Sequence, residues 1–264
     1  MISDSSTRFR YALRRGFTLT ELLVVIGLIG LITAIAVPVS SNFGKSNTMV
    51  AAGRQLQDDL ALAKARAINT RSTVYMVFSG TNAGDSGIGN LVPSGLRNTF
   101  TNMATAQYQA YALYSERAIG DQPGIIRPHY LSDWKFLPDG VFVDEIKFQD
   151  VANRLNVNDL ARRPFAFRTF PIPTGDGPPV RLPYVSFNSQ GQLNSESVSV
   201  GGPYEDASIP LARGVVDHAI DSGGNILSSP QQVPAGNSVN NRYRIHVEWL
   251  TGRGRLDKPE LDKP

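Results

Sequence analysis

The sequence predicts an α+β fold in which a long N-terminal helix packs on an antiparallel β-sheet head. Three patterns predict it: residues 17–37 are apolar with a single charge, residues 46–70 repeat with a helical period, and residues beyond 70 repeat with the two-residue period of strands. A chain of 264 residues can form one sizeable domain with appendages, and its 41% hydrophobic content excludes a disordered chain.

The charge of the chain is concentrated in its first 16 residues. They contain four arginines and one aspartate, a net charge of +3, which equals the net charge of the whole chain. Residues 17–264 are therefore neutral overall and have no general electrostatic attraction to nucleic acid. The absence of cysteine excludes disulfides, thiolate catalysis and thiolate zinc sites.

The apolar run Phe17–Val37 would form a helix about 32 Å long, which is the thickness of a bilayer core. Arginines precede the run and Lys45 is the one charge in the flank that follows, so the positive-inside rule places the N-terminus in the cytoplasm. A secretory signal peptide would have a shorter apolar core, whereas a plain signal anchor would explain the length and the arginines. Neither explains Glu21, because a carboxylate in the membrane costs about 2.5–3.5 kcal/mol.

A third interpretation also explains the carboxylate of Glu21, and it rests on residues 14–25, RRGFTLTELLVV. A short basic leader, Gly16, Phe17, Glu21 at the fifth place after Gly16, and Pro38 closing the apolar run together resemble the N-terminus of type IV prepilins and type II secretion pseudopilins. The resemblance implies that a membrane prepilin peptidase cuts between Gly16 and Phe17 and methylates the new amine of Phe17.

The same resemblance implies a role for Glu21 in assembly. In a packed filament its carboxylate would pair with the Phe17 amine of a neighbouring subunit, because an unpaired desolvated charge is strongly unfavourable. Gly27 and Gly30 allow close helix packing, although glycine is also frequent in membrane segments. Pro38 is expected to kink or interrupt the helix.

The patterns and the resemblance together imply four regions: a cleaved leader at 1–16, a transmembrane and assembly helix at 17–38, an amphipathic helix at 39–70 and a β-rich extracytoplasmic head at 71–264. The apolar residues of the amphipathic helix share one face through steps of three and four. They are Met49, Ala52, Leu56, Leu60, Ala63 and Ala67.

Three further segments indicate a subgroup within this family. They resemble parts of the minor pseudopilin H and fimbrial T proteins, the GspH/FimT-like group. Residues 52–68 resemble the second half of that group's helix, residues 184–191 resemble a strand with a closing glycine turn, and residues 245–253 resemble its final hairpin. The long connections between the strands depart from a minimal head of that group. Such connections are either binding elements or tolerated variation.

The strands are predicted from β-branched and aromatic residues bounded by turn residues. The candidate strands are Thr73–Phe78, Tyr108–Tyr114, Val141–Phe148, Phe165–Phe170, Tyr184–Phe187, Ser197–Val200, Ile209–Val216 and Tyr243–Leu250. The connections are predicted at Gly80–Gly95, Gly120–Pro128, Val151–Pro164, Pro171–Pro183 and Ser222–Asn241.

The sequence contains no recognisable catalytic motif, and it predicts no enzyme and no cofactor. His129, His218 and His246 are too far apart for metal-ligand spacing. The glycine-rich run at 84–89 is expected to be a flexible loop, because no helix pattern or lysine follows it. Oxygen ligands at Asp217, Asp221 and Asn225 suit calcium in kind but do not match an EF-hand, so a turn is the preferred interpretation.

Two groups of residues raise the question of nucleic-acid binding. Tyr108, Tyr111 and Tyr114 would need a basic groove to stack bases, and core packing is the preferred interpretation. The local cluster of Arg242, Arg244, Arg253 and Arg255 is either a modest anion-binding surface or a solvated sheet edge. Nucleic acid is therefore not expected as a main partner.

The resulting prediction is a structural minor pilin or pseudopilin that joins or initiates a type IV pilus or a type II secretion pseudopilus. Its expected partners are the prepilin peptidase, other pilin subunits and an inner-membrane assembly platform. The expected location is the bacterial inner membrane, single-pass with a periplasmic head, and then the filament. The alternatives are a membrane-tethered binding module and a DNA-capturing tip pilin.

Overall fold

The computed structural model describes residues 18–81, 86–117, 121, 127–149, 163–194, 205–217, 230–234, 237 and 242–257. For residues 34–46, 86–87 and 242 it describes the backbone alone. The chain divides into two compact units between Ser46 and Asn47. The predicted strand Ser197–Val200 lies outside the described residues.

The described helices begin with the long helix that the sequence predicts. They are α1 (Leu19–Thr70), α2 (Ser86–Gly89) and α3 (Arg97–Thr105), with 3-10 turns at Ser94–Leu96 and Glu145–Phe148. Helical backbone continues across Pro38, so of the two expected effects of this proline the interruption is wrong, and the kink stays a prediction. A proline removes one backbone hydrogen bond, and the turns on either side can remain helical. Over the described residues, no helix combines the length and the apolar character that a membrane crossing requires.

The described strands are all paired antiparallel. They are β1 (Val74–Phe78), β2 (Ala110–Ser115), β3 (His129–Tyr130), β4 (Lys135–Phe136), β5 (Val141–Val143), β6 (Ala166–Pro171), β7 (Pro179–Phe187), β8 (Ala207–Arg213), β9 (Val215–Asp217), β10 (Gln231–Val233), β11 (Arg242–Val247) and β12 (Gly254–Asp257).

These strands form separate sheets rather than the single sheet that the sequence predicts. The first has the order β3-β2-β1-β7-β6, with β4 also paired to β2, and the second has the order β12-β11-β8-β5. Strands β9 and β10 form a two-stranded ribbon. The α+β class and the antiparallel pairing are as predicted.

The inner strands β1 and β2 of the first sheet are buried on both faces. Every residue of β1 and β2 is buried, which explains why their sequences VYMVF and AYALYS read as apolar runs. One face, with Met76 and Leu113, belongs to the core beneath α1. The other face, with Tyr75, packs with Phe100 and Met103 of α3. Helix α3 was not predicted, because residues 96–107, between the predicted loop and the next predicted strand, were left without an assignment.

Helix α1 contributes its predicted face to the head. Met49 is 4% exposed, and the other five residues of the predicted face are 0% exposed. Their core includes Met76 of the first sheet and Ile209 and Ile245 of the second, so one helix face joins both sheets. Burying a leucine such as Leu56 or Leu60 stabilises the fold by about 1.5–3 kcal/mol.

A buried polar network fixes this helix against the first sheet. Asp59 is 6% exposed and accepts a hydrogen bond from the Tyr111 hydroxyl at 2.6 Å, while Lys135 pairs with its other oxygen. Gln55 donates to the Tyr111 hydroxyl at 3.0 Å and to the Phe136 carbonyl at 2.9 Å. Burial, and then the Asp59 hydrogen bond, raise the pKa of Tyr111. Each side chain in the network has a partner, which is what a buried polar group requires.

Two glycine turns meet beside the end of α1. Gly191 and Gly252 have φ of +78° and +60°, a region that favours glycine. A Cβ on Gly191 would lie 2.8 Å from Ile68 of α1, and one on Gly252 would lie 2.1 Å from the Gly191 carbonyl oxygen. The structure therefore brings together the segments 184–191 and 245–253 that the sequence singles out.

Two predicted strands end earlier than expected. The predicted strand Val141–Phe148 stops at Val143, because the Asp144 carboxylate accepts from the Ile146 amide at 3.1 Å and caps a 3-10 turn. The predicted strand Ile209–Val216 is divided at Gly214, whose φ is +146°. The strands predicted near 108–114 and 243–250 have observed bounds of Ala110–Ser115 and Arg242–Val247.

Two predicted connections contain strand instead. The segment Pro171–Pro183 includes the first half of β7, and Ser222–Asn241 includes β10. Pro183 is compatible with β7 because it lies beyond the last β1–β7 pair, Val77 with Tyr184. At that position no residue of β1 needs a hydrogen bond from a backbone N–H, the group that proline lacks.

Candidate functional site

The N-terminal part of α1 carries the predicted assembly residues. Its first turn has a reciprocal cap: the Thr18 amide and hydroxyl each donate to Glu21 Oε2 at 2.9 Å, and the Glu21 amide donates to the Thr18 hydroxyl at 3.2 Å. This is the capping-box arrangement, which satisfies N–H groups at the start of a helix. Glu21 therefore has a local role in starting the helix as well as any role in assembly.

The apolar side chains after Glu21 are exposed on every side of the helix. Leu22, Leu23 and Ile26 are 56%, 66% and 62% exposed. A Cβ added at Gly27 or Gly30 would meet nothing within 4 Å. A helix that is apolar all round needs apolar surroundings on all sides. The described structure leaves this apolar surface exposed.

The predicted processing site lies beside this segment. Gly16 and Phe17 lie outside the described residues, and so does the side chain of Pro38. Cleavage and methylation at Gly16 and Phe17 therefore remain predictions from the sequence.

The predicted arginine cluster is accompanied by carboxylates. Arg255 hydrogen-bonds Asp257 at 2.8 Å, and this bond, followed by the charge of Asp257, raises the pKa of Arg255. Arg253 and Arg255 line a groove of about 510 Å³ together with Asp206 and Glu248. For Arg242 the structure describes the backbone but not the side chain. Mixed charge of this kind does not form the continuous positive surface that nucleic acid requires.

The histidines and tyrosines have structural surroundings. His246 Nε2 lies 2.9 Å from Asp206, and His129 Nδ1 lies 2.9 Å from the Arg127 carbonyl. Tyr108, Tyr111 and Tyr114 are at most 5% exposed, which confirms core packing for them.

Of the three candidate calcium ligands, Asp217 alone lies among the residues that the structure describes. Asp217 is exposed on β9, while Asp221, Asn225 and His218 lie outside the described residues. In the described ranges, no three or more His, Asp and Glu side chains are grouped as metal ligands.

One cavity was missed by the sequence reasoning. It has a volume of about 320 Å³ and is lined by Arg71 after α1, Arg117 after β2, and Asn188 and Ser189 after β7. These residues are far apart along the chain, and only the strand pairing brings them together. The unusual signal at Arg71, a non-glycine residue with φ of +49°, is visible only in the backbone.

Comparison with known proteins agrees with the N-terminal segment. Residues 12–37 match the family model of the prokaryotic N-terminal methylation motif. No curated protein and no solved structure matches the chain. The matched residues contain Gly16, Phe17, Glu21 and the whole apolar run Phe17–Val37. The N-terminal motif of this chain is thus that of a type IV pilin-like or pseudopilin-like precursor.

Proposed function

We propose that this chain is a structural, non-enzymatic subunit of a type IV pilus or a type II secretion pseudopilus. The observation that carries the proposal is the match of the N-terminal methylation motif to residues 12–37. Prepilin peptidase cleaves between Gly16 and Phe17 and methylates Phe17. The mature chain is held in the inner membrane by its apolar helix, with the head in the periplasm, until it enters the filament.

The exposed apolar segment supports this proposal. Ten side chains between Leu19 and Ile32 are large, hydrophobic and at least 43% exposed. Bilayer lipid covers this surface before assembly, and helices of neighbouring subunits and the assembly platform cover it afterwards. Gly27 and Gly30 let those helices approach closely, because no side chain stands between the backbones.

The capping box sharpens the role of Glu21. Both bonds from Thr18 go to Oε2, so the carboxylate is already oriented, and Oε1 is the oxygen left for the neighbour. The amine of a processed Phe17 on that neighbour supplies the positive charge. A subunit that lacks either partner leaves a charge unpaired in an apolar surrounding, which opposes its incorporation.

We assign the chain to the minor components, near the GspH/FimT-like group, on the resemblance of residues 52–68, 184–191 and 245–253. In support, the turns that contain Gly191 and Gly252 meet at the end of α1. The head then selects the neighbouring subunit, and its long connections distinguish this subunit from a minimal head.

Processing tests the proposal most directly. The protein is isolated from membranes that contain a prepilin peptidase, next to a Gly16→Ala variant, and both are examined by intact mass and N-terminal sequencing. We expect a chain that begins at Phe17 and carries one added methyl group, and no processing of the variant. A chain that still begins near Met1 would contradict the proposal and favour a tethered binding module.

Assembly is tested separately with Glu21→Ala. We expect normal membrane insertion and reduced recovery in sheared filaments, because the Phe17 amine of the neighbour loses its partner. Thr20→Ala, one position earlier in the helix, is the matched control. Normal incorporation of Glu21→Ala would exclude the pairing.

A further inference from the structure

We propose that the cavity at the C-terminal end of α1 binds a phosphate-type oxyanion between Arg71 and Arg117. This inference is independent of filament assembly. Both arginines are exposed and line one cavity of about 320 Å³, at the small end of the range for ligand sites. Among the described residues, no carboxylate pairs with either guanidinium group.

The fold places Arg71 and Arg117 at the same end of the first sheet. Strand β1 begins at Val74, opposite Ser115 at the end of β2 and Phe187 at the end of β7. The three strands are antiparallel neighbours, so residues 71–73, 116–117 and 188–189 all emerge at the same end of the sheet. The cavity is formed where these three segments meet.

A chain of hydroxyl groups fixes the backbones that carry the arginines. Thr70 Oγ1 lies 2.8 Å from Ser72 Oγ, which lies 3.4 Å from Ser115 Oγ. Ser115 is fully buried, and its hydroxyl donates to the Arg117 carbonyl at 2.9 Å and accepts from the Arg117 amide at 3.3 Å. The two guanidinium groups therefore extend from anchored positions, which reduces the entropy lost when both bind one ligand.

The backbone at Arg71 is a second, independent observation. Arg71 follows the helix with φ of +49°, and its amide and that of Ser72 bond the carbonyls of Ile68 and Ala67 at 3.3 and 3.2 Å. This is the closing position at which helices usually have glycine. An arginine there carries a conformational cost that glycine would avoid, and costs of this kind are concentrated at functional sites.

The electrostatics of the cavity favour an anion. Glu116, the one carboxylate among the described lining residues, is already paired with Arg168, which also bonds the Tyr75 hydroxyl. Thr73 and Ser189 line the same space, and their hydroxyl groups can donate to oxygen. Guanidinium groups bind phosphate in a two-pronged geometry, so two of them with hydroxyl donors suit a tetrahedral oxyanion.

The helix end offers the competing explanation. Cations near a helix C-terminus interact favourably with its dipole, and Arg71 and Arg117 would then need no ligand. That explanation predicts no saturable binding of phosphate. It also predicts that sodium chloride and phosphate have equal effects at equal ionic strength.

The test uses the full-length protein in maltoside micelles, whose headgroups carry no phosphate. Inorganic phosphate is titrated at constant ionic strength while the arginine Nε–H signals are followed by NMR. The variants are Arg71→Gly, which suits the φ of +49° and preserves the fold, and Arg117→Gln. The control is Arg54→Gln, an exposed arginine on α1 outside the cavity.

We expect the signals of Arg71 and Arg117 to shift on one shared saturation curve. Each cavity variant should weaken phosphate binding about tenfold, because it removes one charged hydrogen-bonding partner. Arg54→Gln should leave the curve unchanged. Non-saturating shifts, equal shifts with chloride, or unchanged binding in both cavity variants would overturn the proposal, and acetate in a parallel titration separates phosphate from carboxylate recognition.

Discussion

The two ends of helix α1 contain the same residue types in opposite surroundings. Leu22 and Leu23 are 56% and 66% exposed, whereas Leu56 and Leu60 are 0% exposed. The difference follows from pattern rather than composition. The later part concentrates its apolar residues on one face, which packs in the core of the head, while the earlier part is apolar all round and exposes its apolar side chains.

The largest expected effect on the free energy of unfolding comes from a comparison in which one leucine in each part of α1 is replaced by alanine. Leu56→Ala should lower the free energy of unfolding of the head by about 3 kcal/mol, because it leaves a cavity in a fully buried site. Leu23→Ala should change it by less than about 0.5 kcal/mol. Urea unfolding of the full-length protein in detergent, followed by fluorescence of Trp134 and Trp249, measures both. Equal effects would remove the distinction between the two parts.

The next effect separates two adjacent aspartates of the buried part. Asp59→Ala should destabilise the head by about 2 kcal/mol, because Tyr111 and Lys135 lose their common partner. Asp58→Ala, one residue earlier and exposed, should lie within about 0.5 kcal/mol of the parent. The same unfolding assay compares them. A small effect at Asp59 would show that apolar contacts alone hold the helix on the sheet.

The third effect appears at high pH. Burial raises the pKa of Tyr108, Tyr111 and Tyr130 in the folded head. Since the unfolded pKa is about 10, the stability from these groups is complete below pH 10 and falls above it, by about 1.4 kcal/mol per pH unit for each tyrosine. Unfolding measured between pH 9 and 11 checks the slope, and Tyr111→Phe should reduce it. No tyrosine lies in residues 18–46, so the earlier part of α1 should not respond.

The smallest effect is at the end of the buried part. Arg71→Gly should stabilise the head by about 0.5 kcal/mol, because glycine adopts a φ of +49° without steric cost. Thermal unfolding should then show a slightly higher midpoint. A lower midpoint would mean that the Arg71 side chain stabilises the helix end more than its backbone conformation costs.

Much of the helix and the first sheet was predictable because their signals are local. Apolar residues from Met49 to Ala67 recur with the helical period, and all six predicted positions are buried. The strand Val74–Phe78 was predicted within one residue of its start. The Glu21 capping box also follows a local pattern, Thr18 with a glutamate three residues later.

The features that escaped prediction depend on distant pairing or on weak local signals. Helix α3, RNTFTNMAT, is mostly polar, and its buried Phe100, Met103 and Ala104 are too few to stand out. The division into two sheets depends on which strands pair, for example Val141 with Arg213, and no local period encodes that choice. The cavity between Arg71 and Arg117 escaped for the same reason, because it forms only when β1, β2 and β7 are aligned.

The hydrogen bond from Gln57 to the Gly254 carbonyl, at 2.8 Å, joins residues 197 positions apart. Leu256 of the same strand contacts α1 so closely that a Cβ on Gly53 would lie 2.7 Å from it. Contacts of this sequence separation form late in folding, because a long loop must close before they contribute. Helix α1 therefore completes its packing only once β12 is in place, so the head reaches its final packing in a step that needs residues from both ends of residues 47–257.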